Sequence, residues 1–183
     1  MPHDQPFGQI TESLKRVAGA LRKAEVPFLL GGGLAVWARG GPRTGHDLDL
    51  MIKPEDAARA LQVLEDAGMR VEKPPEGWLY KGWDGDTLID LIFEPIGEPV
   101  DDAMFERAEE LEVLAVPMLV MSLEDVMVTR LKTLDEHELD FERPLEFARS
   151  LREQIDWEDV RKRTNGSPYA KAFFTLIEEL DIV

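Results

Sequence analysis

Apolar positions recur with two different periods over the first 120 residues, and the alternation between them separates helices from strands. Ile10, Leu14, Val17 and Leu21 fall at helical spacing, which predicts an amphipathic helix from about Gln9 to Glu25. Pro27-Phe28-Leu29-Leu30 is a short apolar strand running into Gly31-Gly32-Gly33, then a helix over Leu34–Arg39 that Gly40-Gly41-Pro42 ends. A second strand, His46–Ile52, alternates cleanly: Leu48, Leu50 and Ile52 point one way and Asp47, Asp49 and Met51 the other. Pro54 suits the first position of a helix running through Ala57, Leu61 and Leu64 to Gly68. Met69–Glu72 reads as a strand. Trp78–Trp83 and Asp86–Phe93 read as a hairpin closed by Asp84-Gly85, and Glu112–Leu119 as one further strand.

From Ser122 the character changes. Ser122-Leu123-Glu124-Asp125 has the form of a helix-start capping arrangement, and most of the chain to Val183 reads as helices broken near Pro144 and at Asn165-Gly166-Ser167-Pro168. Leu123, Val126, Leu131 and Leu134 are a core series. These patterns divide the chain into an α/β portion over 1–120 and a helical part over 121–183.

Chemistry concentrates on two strands. Asp47 and Asp49 project from one face roughly 6.5–7 Å apart along the strand. Asp90 interrupts the apolar run Leu88-Ile89-Asp90-Leu91-Ile92-Phe93, where an unpaired carboxylate costs several kcal/mol. Its ordinary explanation is a buried Asp bonded to an arginine or to backbone amides. If the two strands are neighbours, three carboxylates meet, and a cation among them relieves their repulsion. Oxygen-only ligands favour Mg²⁺ or Mn²⁺ shared with phosphate groups. Gly32 and Gly33 precede a helix start, where backbone amides can approach a phosphate, although a tight strand-to-helix turn asks for glycine without any ligand.

Composition narrows the substrates. The 183 residues include 21 basic and 37 acidic ones, a net charge of −16, which argues against general nucleic-acid binding. No cysteine is present, so thiolate metal sites and cysteine nucleophiles are excluded. No stretch approaches the roughly 20 apolar residues of a membrane helix, and Met1-Pro2-His3-Asp4-Gln5 does not open a secretory signal; a cytoplasmic protein is expected.

Together, Gly32-Gly33, a gap of 13 residues (34–46), Asp47-Leu48-Asp49-Leu50 and the later Asp90 resemble the nucleotidyltransferase superfamily that includes DNA polymerase beta. Gly32-Gly33-Leu34-Ala35, Pro42-Arg43-Thr44 and the Ser122 helix are similar to its bacterial small-molecule and AbiEii-toxin-like branch. The resemblance spans about residues 26 to 145. It implies an α+β nucleotidyltransferase fold, a mixed twisted sheet flanked by helices, with a small C-terminal helical part. It also implies transfer of an NMP from an NTP to a hydroxyl of a small-molecule, antibiotic-like acceptor. Asp47 and Asp49 would bind Mg²⁺ or Mn²⁺, and Asp90 would hold a second metal and act as base. Gly32 and Gly33 would cradle the triphosphate, with Arg43, Thr44 and Arg130 contacting the nucleotide. Leu34 stands where relatives often carry a hydroxyl residue, and Arg130 where they often carry lysine.

A rival reading of the same residues is a weakly catalytic binding or regulatory module, or a toxin–antitoxin component acting on RNA or protein. Its partner would be an antitoxin or a second copy of the chain. Trp78, Tyr80 and Trp83 are candidates for stacking on a ring, with cross-strand packing as the plainer explanation. His46 adjoins the acidic pair, and His3 and His137 stand apart from it. Glu106–Glu112 reads as a solvated acidic face.

Overall fold

The computed structural model describes residues 7–44 and 47–183. His3 and His46 lie outside the described residues, so the expectations placed on them have no structural counterpart here. Helix α1 (Phe7–Lys23) leads into β1 (Leu29–Leu30), α2 (Gly32–Ala38), β2 (Asp47–Met51) and α3 (Pro54–Asp66). Strands β3 (Arg70–Glu72), β4 (Leu79–Asp84) and β5 (Thr87–Ile92) follow, then a short α4 (Asp102–Arg107), β6 (Glu109–Val113) and β7 (Val116–Val120). Helices α5 (Leu123–Lys132), α6 (Glu142–Leu151), α7 (Trp157–Thr164) and α8 (Pro168–Glu179) complete the chain. The strands form one mixed sheet in the order β3-β4-β5-β2-β1-β7-β6, flanked by helices in an α+β arrangement.

Local chemistry accounts for the helix starts. Pro54 opens α3, with Glu55 and Asp56 favourably placed in its first turn. Ser122 Oγ accepts from the Asp125 N–H at 3.1 Å, as the capping pattern predicts. Asp156 accepts from the N–H groups of Glu158 and Asp159, and Ser167 from that of Ala170.

The two faces of the sheet differ. Gly82 pairs with Ile89, and a β-carbon on Gly82 would lie 2.9 Å from Leu64 Cδ1 of α3. The face of Gly82, Ile89 and Leu48 is therefore covered by α3, with α1 beside it, and Leu48, Leu50, Ile89 and Leu91 are buried there. The residues alternating with them, Lys81, Asp90 and Asp49, look the other way. Helices α5 to α8 join the same continuous core through Val126, Leu131, Phe147, Val160, Phe173 and Phe174.

Three expectations need correction. The β4–β5 loop is Gly85-Asp86, because Asp84 pairs with Thr87; Gly85 has φ +62° at the first loop position, which glycine adopts without strain. Glu112–Leu119 is not one strand but parts of two, β6 and β7, joined where Leu114 and Ala115 both take positive φ (56° and 61°). Pro144 sits in the first turn of α6, where no intrahelical N–H bond is lost, and the break falls before it, between Lys132 and Glu142.

Candidate functional site

β2 and β5 are parallel and in register, with Asp47 opposite Leu88 and Asp49 opposite Asp90. Directly opposed residues share a face, so the three carboxylates stand on the face that α3 leaves free. The same arithmetic across the β4–β5 hairpin puts Lys81 opposite Asp90, and Lys81 Nζ donates to Asp90 Oδ1 at 3.1 Å. Asp90 is 8% exposed and meets a lysine rather than the arginine or backbone amides anticipated for a buried Asp in that strand.

These surroundings set the carboxylates' proton affinity. Burial, then the charges of Asp90 and Asp47, push Asp49 up to about 7; Arg130 and Lys81 pull it back only in part. Burial also raises Asp90, opposed by the charge and hydrogen bond of Lys81, with Asp47 adding to the rise. A carboxyl held this high is short of positive charge.

The glycine turn packs directly onto the acids. The Gly31 N–H donates to the Asp49 carbonyl at 2.9 Å, which brings the turn against β2. Gly32 has φ +52°, and a β-carbon there would stand 2.8 Å from Asp49 Cγ. One on Gly33 would stand 2.8 Å from the Thr44 Cβ. Both positions exclude larger residues because Asp49 and the buried Thr44 occupy the space.

A cleft of about 1050 Å³ opens over this face. It is lined by Gly32, Gly33, Arg43, Thr44, Asp47 and Asp49, and also by Val126, Thr129 and Arg130 of α5 and Phe147 of α6. Seven of the eight expected site residues thus line one cleft. Asp90, held by Lys81, is the exception. Arg43 also lies over the Phe7 ring, 5.3 Å from its centroid.

Among the described residues, no group of three or more His, Asp or Glu side chains is arranged to hold a metal ion by itself. The donor chemistry nonetheless fits Mg²⁺ or Mn²⁺. Asp47 and Asp49 offer hard oxygens into the cleft, and such ions take their remaining ligands from water and substrate phosphates.

Sequence reasoning missed Lys81, whose position opposite Asp90 follows once the hairpin loop is set at Gly85-Asp86. Of the three hairpin aromatics, Trp83 lies under Arg70 at 3.5 Å and Tyr80 packs against Phe93 at 4.9 Å. Trp78 alone of the three lines the cleft, 39% exposed. His137 is exposed, with Nε2 3.3 Å from Glu136.

A family model described as "Uncharacterised nucleotidyltransferase" matches residues 8–178. No curated protein matches the sequence. Among solved structures the chain is similar to the solution structure of the antibiotic-resistance factor ANT(2'')-Ia. The two share 16% identity over 96% of this chain and 98% of that one, with a TM-score of 0.68. It is also similar to the crystal structure of ANT(2'')-Ia in complex with adenylyl-2''-tobramycin, at 17% identity over 89% and 98%, TM-score 0.66. The lincosamide antibiotic adenylyltransferase LnuA, lincomycin-bound, matches at 13% identity over 84% and 97%, TM-score 0.56. At these identities the structural likeness establishes a shared fold.

Proposed function

The chain belongs to this family of nucleotidyltransferases, and from that premise we propose that it moves a nucleoside monophosphate from an NTP to a hydroxyl of a small-molecule, antibiotic-like acceptor. The observation that carries this reading is the gathering of Asp47, Asp49 and Asp90 on one sheet face against the Gly32 turn. Two of the similar structures, by their names, concern small-molecule antibiotics and adenylyl transfer, which supports the acceptor class.

In this reading Asp47 and Asp49 hold Mg²⁺ or Mn²⁺ together with the triphosphate. When bound, such ions polarise the reacting phosphate and offset charge on departing pyrophosphate. Gly32 and Gly33 let the polyphosphate approach the backbone, and Arg43, Thr44 and Arg130 meet its oxygens. The acceptor oxygen forms a bond to the α-phosphorus as the bond to pyrophosphate breaks, and the hydroxyl proton passes to Asp90. Lys81 bears on that task, because its charge and hydrogen bond oppose the rise in proton affinity that burial gives Asp90. Asp90 joins in holding a second cation only if Lys81 turns aside. Residues 1–120 carry the acids and the glycine turn, and the helices of 121–183 close the cleft over them.

The test is pyrophosphate release with Mg²⁺, each NTP and a panel of hydroxylated acceptors. Acceptor-dependent release that EDTA stops is the expected outcome. Nucleotide binding without turnover on any acceptor would favour a binding module instead.

A further inference from the structure

Four side chains form one row across the sheet. Glu72 of β3 is opposite Lys81 of β4, Lys81 is opposite Asp90 of β5, and Asp90 is opposite Asp49 of β2. Directly opposed residues share a face, so the row reads negative, positive, negative, negative, at about 4.8 Å from strand to strand. Lys81 therefore stands between two carboxylates, and it takes Asp90, with Nζ 3.1 Å from Oδ1. Burial explains the choice. Asp90 is buried and Glu72 exposed, so turning towards Glu72 would exchange a desolvated partner for a hydrated one and leave Asp90 uncompensated. The charge of Lys81 also reaches Asp49, the next acid in the row.

A carboxylate engaged in this way is a poor ligand for a divalent ion. Mg²⁺ demands near-octahedral oxygens, and any ion drawn to Asp90 meets an ammonium of like charge on the same carboxylate. The surroundings agree. Asp47 and Asp49 line the cleft and Asp90 does not, and the three acids form no ready-made metal cluster among the described residues.

We propose that Lys81 is a positioning residue whose ammonium stands in for a second divalent ion, so that the chain works with a single Mg²⁺ or Mn²⁺ on Asp47 and Asp49. This assignment rests on the transferase reading and departs from the second metal that the resemblance implies for Asp90. Lys81 holds Asp90 by Oδ1 and leaves Oδ2, which accepts no hydrogen bond among the described residues, for the proton of the acceptor hydroxyl. That proton departs as the acceptor oxygen bonds to the α-phosphorus and the bond to pyrophosphate breaks. No cation is needed on the acceptor oxygen.

The experiment counts Mn²⁺ on the intact protein by electron paramagnetic resonance, with one equivalent of a nonhydrolysable NTP per chain. Two ions sharing a site, about 3.5–4 Å apart, couple magnetically and give a spectrum unlike that of an isolated ion. Wild type is expected to bind one ion with the isolated spectrum. Lys81→Met removes the charge and should take up two ions with the coupled spectrum, while Lys81→Arg should stay at one. Adding Asp90→Asn to Lys81→Met should return the count to one. A lysine that only held the strands together would shift the melting temperature and leave the ion count alone. Two coupled ions in wild type overturn the proposal, whether or not any variant folds. So does a folded Lys81→Met that still binds one; should that variant not fold, Lys81→Gln carries the same expectation. Failure to bind NTP and Mn²⁺ together undoes the transferase reading itself, whereas NTP bound with two ions undoes only the single-ion assignment.

Discussion

Gly32 and Asp49 are packed so closely that a β-carbon on the glycine would stand 2.8 Å from the carboxylate carbon of the aspartate. The contact ties the turn after β1 to the acid face of β2, and Gly32 meets it with φ +52°. Alanine there adds left-handed backbone strain, about 1–3 kcal/mol, and displaces the carboxylate. Gly32→Ala should therefore lower kcat/KM at least 100-fold while melting only several degrees below wild type. Wild-type turnover in this variant would show that Asp49 tolerates displacement.

Asp49 makes apo stability depend on pH with a definite sign. Its folded value of about 7 lies above the ordinary 3.8, so the folded state binds the proton more tightly than the unfolded state does. Its contribution is full below about pH 4 and is lost as pH rises through 7. In EDTA, Asp49→Asn should melt with wild type near pH 4 and several degrees above it at pH 8, yet lose transferase activity. Mg²⁺ binding should release protons most strongly between about pH 6 and 8, read as buffer-dependent heat in calorimetry. Parallel melting curves for variant and wild type would remove the carboxylate clash from the account.

Arg43 and Arg130 both line the cleft, and Arg130 lies near enough to Asp49 to lower its proton affinity. Arg43→Ala should raise KM for NTP about tenfold and KM for acceptor less than twofold. Arg130→Ala should do the same, with Arg130→Lys recovering part of the loss because charge is kept but the planar fork is not. Equal effects on both substrates would assign these residues to general packing.

Away from the cleft, Asp125 anchors three helices. Its side chain is fully buried, accepts from Arg107 Nε at 3.0 Å and from Arg163, and joins α4 and α7 to α5. Asp125→Ala strands two partly buried guanidinium groups and should cost roughly 3 kcal/mol, a fall of about 6–12 °C in Tm for a chain this size. The exposed Arg161–Glu178 pair is a contrast: Glu178→Ala should move Tm by less than about 2 °C. Comparable losses in the two variants would contradict the burial argument.

Much of the site was legible because strand alternation is strict. Asp47 and Asp49 had to share a face, and Gly32-Gly33 had to lie close by if β1 and β2 paired. Lys81 was not legible, because its partner depends on the hairpin register, and Asp84-Gly85 is as good a two-residue turn in sequence as Gly85-Asp86. The β6–β7 turn was hidden for a different reason. Leu114 and Ala115 carry no turn signature, and their positive φ angles are imposed by the pairing of the strands on either side. Residues such as Glu76, Trp78 and Glu94 gave only generic polar and aromatic signals. They come together in the cleft lining because the start of β4 pairs with the end of β5, Leu79 opposite Ile92.

Val126, Arg130 and Phe147, which line the cleft, come from segments made after the whole sheet. A nascent chain thus completes its acidic platform while the chamber above it is still open to solvent. A protease nick that releases α6 would take Phe147 out of that lining while leaving Asp47, Asp49 and Asp90 on their strands.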